Sequence, residues 1–401
     1  MTSTVTPPYI AIACGGTGGH LFPGWAVAEQ LVKRGSPVTL LISPKEVDQQ
    51  AVKNAHGVNI ITLPAVALQS GNHVACLRSC WQSWRAARKL FRARPPRAVL
   101  AMGGFTSAPP ILAARSLGAK TFLHESNTIP GRANRWLARF VDQAFVGFPS
   151  AILRLHVREA TVTGTPVRGE FRPVQPAACR ATLGLDPARP VLLVMGGSQG
   201  ASGINEMILA TLPVLARRVP HWQWLHLAGA LDAEKVKRAY SAYGASATVR
   251  PFVAKMDLAL GAATTAVSRA GASSLAELAA MRLPALLVPF PHAADNHQFH
   301  NARAFTETGA AWLLEQKDAH PAKVADLLVK LMENATAREK IQTSLARWHA
   351  PKAAEQIAET ILSACAQSAR SQVRANPAAP ATRGQGCPRS RAVERRGLSV
   401  A

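Results

Sequence analysis

Two stretches of this chain share one construction. "IAIACGGTGGHLFPG" (residues 10–24) and "VLLVMGGSQGASGIN" (residues 191–205) each run a short apolar strand into a glycine turn and then a helix start. A strand buried on both faces and followed at once by a helix is the repeating unit of a parallel α/β sheet. A chain that opens such a unit twice, about 180 residues apart, is expected to build two sheets. Glycine lets the backbone approach a ligand, and the helix N-terminus offers unpaired N–H groups and a positive dipole end. Either turn alone could serve only close packing; two of them can address opposite sides of one cleft.

Familiar nucleotide templates do not fit the first turn. A P-loop needs Lys and Ser or Thr after its last glycine, where His20 and Leu21 stand. A dinucleotide fingerprint needs a third glycine at Leu21, which counts against a dehydrogenase. Strands are predicted near 9–14, 37–42, 58–63, 98–102, 119–123 and 143–146. Helices fall near 20–34, 44–55, 74–92, 106–117 and 131–139. "VTGTPVRGEFRPVQP" (162–176) breaks the pattern with glycines and prolines and reads as a linker. Strands resume at 191 and continue near 222–227, 246–250, 264–268, 284–289 and 310–313, and 352–365 reads as a helix. The expected fold is α/β: two Rossmann-like, doubly wound parallel-sheet domains facing across a cleft. The expected boundaries are 1–165 for the first domain and 166–345 for the second. A helix at 346–366 would return toward the first domain, followed by a disordered Arg-rich tail at 367–401.

Charge points first toward nucleic acid, since the 401 residues carry a formal +23. Residues 73–97 and 366–401 hold +13 of it, and no RNP, KH or zinc-finger signature accompanies them, so nucleic acid is not expected as a partner. No run of 18 apolar residues is present, and "MTSTVTPPY" lacks the basic flank and apolar region of a secretory signal. Six cysteines show no CxxC pair and no zinc spacing, which fits reduced thiols.

Polar or glycine-rich breaks follow several strand ends, where α/β folds place ligands: "MGGFTS" (102–107), "HESN" (124–127), "GGSQGA" (196–201), "SRAGASSLAE" (268–277) and "PHAADNHQ" (291–298). In "SRAGASSLAE" the N–H groups and hydroxyls of Ser273 and Ser274 suit a diphosphate, and Glu277 could take two ribose hydroxyls. Glu277 could equally complement the helix dipole alone. No Asp-x-Asp occurs. A diphosphate handled without that metal clamp needs helix N-termini and an arginine, Arg168 or Arg269. No metal site and no cofactor are expected.

"GGTGGHLFPG", "MGGFTS", "HESN", "GTPVR", "GGSQGA", "SRAGASSLAE" and "ADNHQ", in that order, resemble the motif series of the MurG family of peptidoglycan N-acetylglucosaminyltransferases. The resemblance covers about residues 10–360 and implies a GT-B fold, with 1–165 as the acceptor- and membrane-side domain and 166–345 as the UDP-GlcNAc-binding domain. It implies inverting transfer of N-acetylglucosamine from UDP-GlcNAc to the 4-hydroxyl of the muramoyl sugar in undecaprenyl-diphospho-muramoyl-pentapeptide (lipid I), giving lipid II. It places Thr17, Gly18, Gly19, Asn127, Arg168, Ser198, Val253, Ala272, Ser273, Ser274, Leu275, Ala276, Glu277 and Gln298 at the donor. The acceptor diphosphate would lie near Gly16, Gly103, Gly104 and Thr106. Ser126, Phe105 and "SAPP" (107–110) depart from the family pattern and bear on acceptor contact. His20 is the candidate general base, because a helix N-terminus disfavours imidazolium; orienting the glycine loop or bonding a phosphate are the other uses open to it.

A lipid-linked acceptor calls for a membrane surface. Along 74–92, Val74, Leu77, Trp81, Trp84 and Phe91 recur at helical spacing, beside Arg78, Arg85, Lys89 and Arg92. That predicts docking on an anionic leaflet through Leu77, Arg78, Trp81, Trp84 and Arg85, with Arg88 interrupting the stripe and snorkelling. The opposing expectation is that the helix buries its apolar stripe on its own sheet. The expected place is peripheral, on the cytoplasmic side of a bacterial inner membrane, with other cell-wall synthesis proteins as further partners. A related transferase acting on another lipid or natural product is the nearest alternative.

Overall fold

The computed structural model describes residues 7–375 apart from Thr17, 46–47, 50–51, 53–56, 65–72 and 198–200. The first sheet holds β1 (Ile10–Ala13), β2 (Val38–Ile42), β3 (Asn59–Thr62), β4 (Ala98–Ala101), β5 (Lys120–Glu125), β6 (Gln143–Val146) and β7 (Ala160–Val162). Their order is β3-β2-β1-β4-β5-β6-β7, every pair parallel. The second holds β8 (Val191–Met195), β9 (Gln223–Leu227), β10 (Ala247–Arg250), β11 (Thr265–Ser268), β12 (Ala285–Leu287) and β13 (Trp312–Leu313), in the order β10-β9-β8-β11-β12-β13 and again all parallel.

The two glycine turns gain their meaning here. β1 lies between β2 and β4, and β8 between β9 and β11, so each turn leaves its sheet where the strand order reverses. That switch point is where open α/β sheets form a ligand crevice. The central strands are apolar on both faces because helices cover both: Ile12 pairs with Leu40 and Leu100 and is fully buried, as are Val191–Val194 of β8.

Helices alternate with the strands. In the first half they are α1 (Gly18–Lys33), α2 (His73–Ala93), α3 (Ala108–Arg115) and α4 (Arg132–Leu137). In the second they are α5 (Pro176–Leu183), α6 (Ser202–Arg218), α7 (Ala233–Ala242), α8 (Met256–Ala262), α9 (Ala272–Met281), α10 (His297–Glu307), α11 (Pro321–Glu333) and α12 (Ala335–Trp348). Finally α13 (Ala353–Ala375) lays Ala354, Ile357, Ala358, Ile361 and Cys365 into the core of the first sheet. Arg34, after α1, ties it down through Glu355 at 2.8 Å and Glu359 at 3.0 Å.

Three sequence expectations change. β7 was not foreseen; it is a short edge strand, largely exposed, and so lacks an apolar signature. The helix expected at 106–117 begins as a 3-10 turn at Phe105–Ser107, and α3 ends at Arg115. The terminal helix runs on to Ala375, so the first residues assigned to a disordered tail are helical; residues 376–401 lie outside the described residues. The helix expected at 44–55 falls largely on residues outside the description, although 48 and 49 are helical.

The chain crosses between the domains twice, side by side. Phe148, just past β6, packs into the second domain's core, with Phe305 at 6.2 Å and Trp348 at 5.4 Å between ring centroids. Gly164, at φ +80°, abuts Ala350 so closely that a Cβ there would overlap it.

The helix considered for membrane docking divides its apolar residues. Phe91 and Ala87 are buried in the first core and Trp84 packs against it, whereas Leu77 and Trp81 are 70% and 54% exposed. The single stripe is therefore two faces, the inward one claimed by the sheet, as a helix in a layered fold requires. Arg88 is partly exposed and lies over the Trp84 ring at 5.2 Å with its Nε buried. The side chain of Val74 is outside the described residues.

Candidate active site

A cleft of about 550 Å³ opens between the carboxyl ends of the two sheets. The first domain contributes Gly18, Gly19, His20, Phe22, Gly104, Glu125 and Asn127 to its wall, the linker contributes Arg168, and the second domain contributes Gly197, Phe252 and Ala272–Ser274 with Glu277.

On the second side, α9 begins at Gly271 with no side-chain cap. Its first-turn N–H groups therefore belong to a helix start that opens on the cleft, an arrangement suited to an anion. Glu277, one turn on, is half-buried, and burial raises its carboxyl to about 7 despite the opposing pull of Arg168. Arg168 lies over Phe22 at 4.4 Å and Phe171 at 5.1 Å and pairs with Glu170 at 3.0 Å. Its ring contacts hold the guanidinium at the cleft wall. Arg269, the other arginine considered for charge neutralisation, is committed elsewhere. It donates to the carbonyls of Val288 and Pro289 at 3.1 and 3.0 Å and to Gln316 at 2.9 Å.

On the first side, His20 stands in the first turn of α1. Burial drives its imidazole down to about 4, with Asp48 opposing, so the ring is neutral at ordinary pH. Gly103 and Gly104 have φ of +112° and +77°, and a Cβ on either would come within 3.0 and 3.3 Å of the His20 ring. Their lack of side chains is what seats the imidazole. Gly16 and Thr106, expected beside an acceptor diphosphate, are engaged in building the loop. The Gly16 N–H donates to Asp48 at 2.6 Å, and the Thr106 hydroxyl donates to the Gly15 carbonyl at 2.6 Å. Among these four residues only Gly104 lines the cleft.

Glu125 ends β5 at the cleft and was passed over in the sequence, although "HESN" contains it. Its carboxylate accepts from Asn127 N and Nδ2 at 2.8 and 3.0 Å, Gly131 N at 3.0 Å and Asn134 Nδ2 at 2.8 Å. Burial pushes its pKa up while these donors pull it down. Asn127 lies at the floor with both ends of its amide used, since Asn301 of α10 donates to its Oδ1 at 3.0 Å. Two further bridges cross between domains: Ser273 Oγ donates to the Gly19 carbonyl at 3.0 Å, and Asp295 pairs with Arg135 at 2.7 Å.

The remaining expected donor residues are placed as follows. Val253 is buried between Phe252 and Ala254, which do line the cleft. Leu275 is buried in the second core; Ala276 is half-buried and off the cleft wall. Gln298 Oε1 accepts from Ala270 N at 3.2 Å and Phe290 N at 3.0 Å, bracing two loops. Thr17 and Ser198 lie outside the described residues. Among the described residues no cluster of three His, Cys, Asp or Glu is placed to hold a metal ion, and no helix is long and apolar enough to cross a membrane.

Residues 10–146 match the Glycosyltransferase family 28 N-terminal domain and residues 191–360 the Glycosyltransferase family 28 C-terminal domain. The chain is 38% identical over 356 residues to the UDP-N-acetylglucosamine–N-acetylmuramyl-(pentapeptide) pyrophosphoryl-undecaprenol N-acetylglucosamine transferase of Xanthomonas euvesicatoria pv. vesicatoria, covering 88% of this chain and 80% of that one. The protein of that name from Anaeromyxobacter sp. (strain Fw109-5) is 36% identical over 368 residues, covering 90% and 93%. The crystal structure of Acinetobacter baumannii MurG superposes with a TM-score of 0.70 at 26% identity, covering 89% of this chain and all of that one. Phytolacca americana UGT2, 17% identical with a TM-score of 0.63 over 91% of this chain and 99% of its own, shares the fold. A cleft between two switch points, a helix start facing a neutral imidazole and these matches converge: the chain belongs to glycosyltransferase family 28, in the MurG family of N-acetylglucosaminyltransferases.

Proposed function

We propose that this protein moves N-acetylglucosamine from UDP-GlcNAc to the 4-hydroxyl of the muramoyl sugar of undecaprenyl-diphospho-muramoyl-pentapeptide. The observation that carries the reading is the pairing, across one cleft, of the uncapped α9 start and Glu277 with the neutral His20. The diphosphate meets the N–H groups of 272–274, with the Ser273 hydroxyl turned over from Gly19 and Arg168 balancing charge. The Glu277 carboxylate accepts from the two ribose hydroxyls, and uracil stacks near Phe252 and meets the backbone at Val253. Asn127 faces the sugar from the cleft wall, and Gln298, whose Oε1 braces the loops at Ala270 and Phe290, is left its Nε2 to offer a sugar hydroxyl. In the displacement the acceptor oxygen bonds the anomeric carbon, the bond to the UDP oxygen breaks, and the hydroxyl proton passes to His20. The leaving diphosphate takes the electron pair, stabilised by the helix start.

The acceptor is held to a bilayer by its polyprenyl chain, so the enzyme must work at a surface. Leu77 and Trp81 on the outward face of α2, flanked by exposed Arg78, Arg85, Lys89 and Arg92, have the composition of an anionic-interface contact. This supports peripheral binding to the cytoplasmic leaflet of a bacterial inner membrane. Transfer of radiolabel from UDP-GlcNAc to the muramoyl-pentapeptide lipid tests the function. Label found only on another lipid or natural-product acceptor would overturn this reading in favour of a related transferase.

A further inference from the structure

Asn301 is fully buried at the junction of the two domains, and all four of its side-chain hydrogen-bonding positions are used. Its Oδ1 accepts from Thr128 N and Thr128 Oγ1, both at 2.9 Å. Its Nδ2 donates to Asn127 Oδ1 at 3.0 Å and to the Ala270 carbonyl at 3.2 Å. The backbone partners fix the amide's orientation, because an N–H must meet the oxygen and a carbonyl must meet the nitrogen. Asn127 is then oriented in turn: its Oδ1 turns to Asn301 and its Nδ2 to the Glu125 carboxylate at 3.0 Å. Ala270 immediately precedes Gly271, the N-cap of α9. One side chain thus links the helix start on the diphosphate side to the amide on the sugar side, across 174 positions of sequence.

We infer that Asn301 is a positioning residue for transfer: it sets the orientation of Asn127 relative to the start of α9, so that sugar and diphosphate are held in one reactive geometry. This rests on the proposed roles of Asn127 and α9. A residue that only cemented the domains together would affect binding of every part of the donor, whereas Asn301 touches no group proposed to hold uridine. Its loss should therefore lower kcat while leaving UDP affinity in place.

The test is a double-variant cycle on the full chain, with lipid transfer measured beside UDP calorimetry. Asn301→Ala is expected to lower kcat about tenfold or more, with UDP affinity changed by less than about twofold, and to add little further loss in an Asn127→Ala background. Asn301→Asp guards against misfolding of the truncation: it keeps the shape and the acceptor for Thr128 but loses the N–H donated to Asn127. It should bind UDP and lose transfer likewise. Losses that multiply in the double variant, or wild-type transfer by Asn301→Asp, would overturn the inference while leaving the proposed function intact. Asn127→Ala transferring at the wild-type rate would instead sink the sugar-contact reading on which the inference stands.

Discussion

Glu277 and His20 are the two titrating groups whose ionisation the proposed chemistry uses, and burial shifts them in opposite senses. Glu277, raised to about 7, must be ionised to accept from ribose, so donor binding releases its proton. UDP-GlcNAc affinity should fall as the solution passes from about pH 8 to about pH 6, with proton release seen by calorimetry in two buffers. Glu277→Gln should weaken binding by roughly 1.5–3 kcal/mol and flatten that dependence; an unchanged slope would return Glu277 to its role beside the helix dipole. His20, lowered to about 4, is already neutral through the range where an ordinary imidazole titrates. At saturating donor, kcat should therefore show no imidazole limb near pH 6.5, and His20→Ala should lower kcat about 10²-fold. A variant that alters only the acceptor KM would point to a phosphate contact.

Among the elements, α2 carries the clearest separable task. Its inward residues Ala87 and Phe91 serve the sheet, while Leu77, Arg78, Trp81 and Arg85 are exposed and spare for a surface. Replacing Arg78, Arg85, Lys89 and Arg92 by Gln removes cations each worth about 1 kcal/mol at an anionic leaflet. The variant should fail to sediment with anionic vesicles yet still glycosylate a short-chain soluble acceptor; undiminished sedimentation would place docking elsewhere. The same helix shows where sequence reading stopped. Periodicity located it within two residues at each end, but it could not say which apolar positions the sheet would claim. Central strands such as β6 were legible because burial on both faces forces an apolar run; β7, exposed at the edge, left no such mark. Glycine turns and the α9 start were legible because their chemistry is local. Glu125, Asp48 and Asn301 were not, since each acts through partners brought together only by the fold, such as Gly16 on Asp48 and Thr128 on Asn301.

At the scale of the molecule, stability should depend on acid in a definite way. Burial holds His20 and His124 at about 4 and His226 at about 3, so below pH 6.5 the unfolded chain takes protons that the fold refuses. That loss is complete near pH 4 for His20 and His124 and only near pH 3 for His226. Glu277 opposes it: a raised carboxyl stabilises the fold at low pH and ceases to do so as pH rises through about 7. Glu125 is shifted in the same direction. Three imidazoles outweigh two carboxyls, so the urea midpoint should fall below about pH 6.5 and fall faster below about pH 4.5, where unfolded carboxyls also protonate. A midpoint flat to pH 4 would contradict this. The adjacent crossings at Gly164 and Ala350 have one more consequence. Because α13 completes the core of the first sheet, the first domain is a host interrupted by a guest, with both ends of the guest leaving through one doorway. During synthesis the host cannot close its core until the guest and the residues through Cys365 have followed. The severed segment 1–165 should therefore expose an apolar face and aggregate, whereas joining residue 163 directly to 351–375 should give a host that unfolds cooperatively, with the guest free to be exchanged for another.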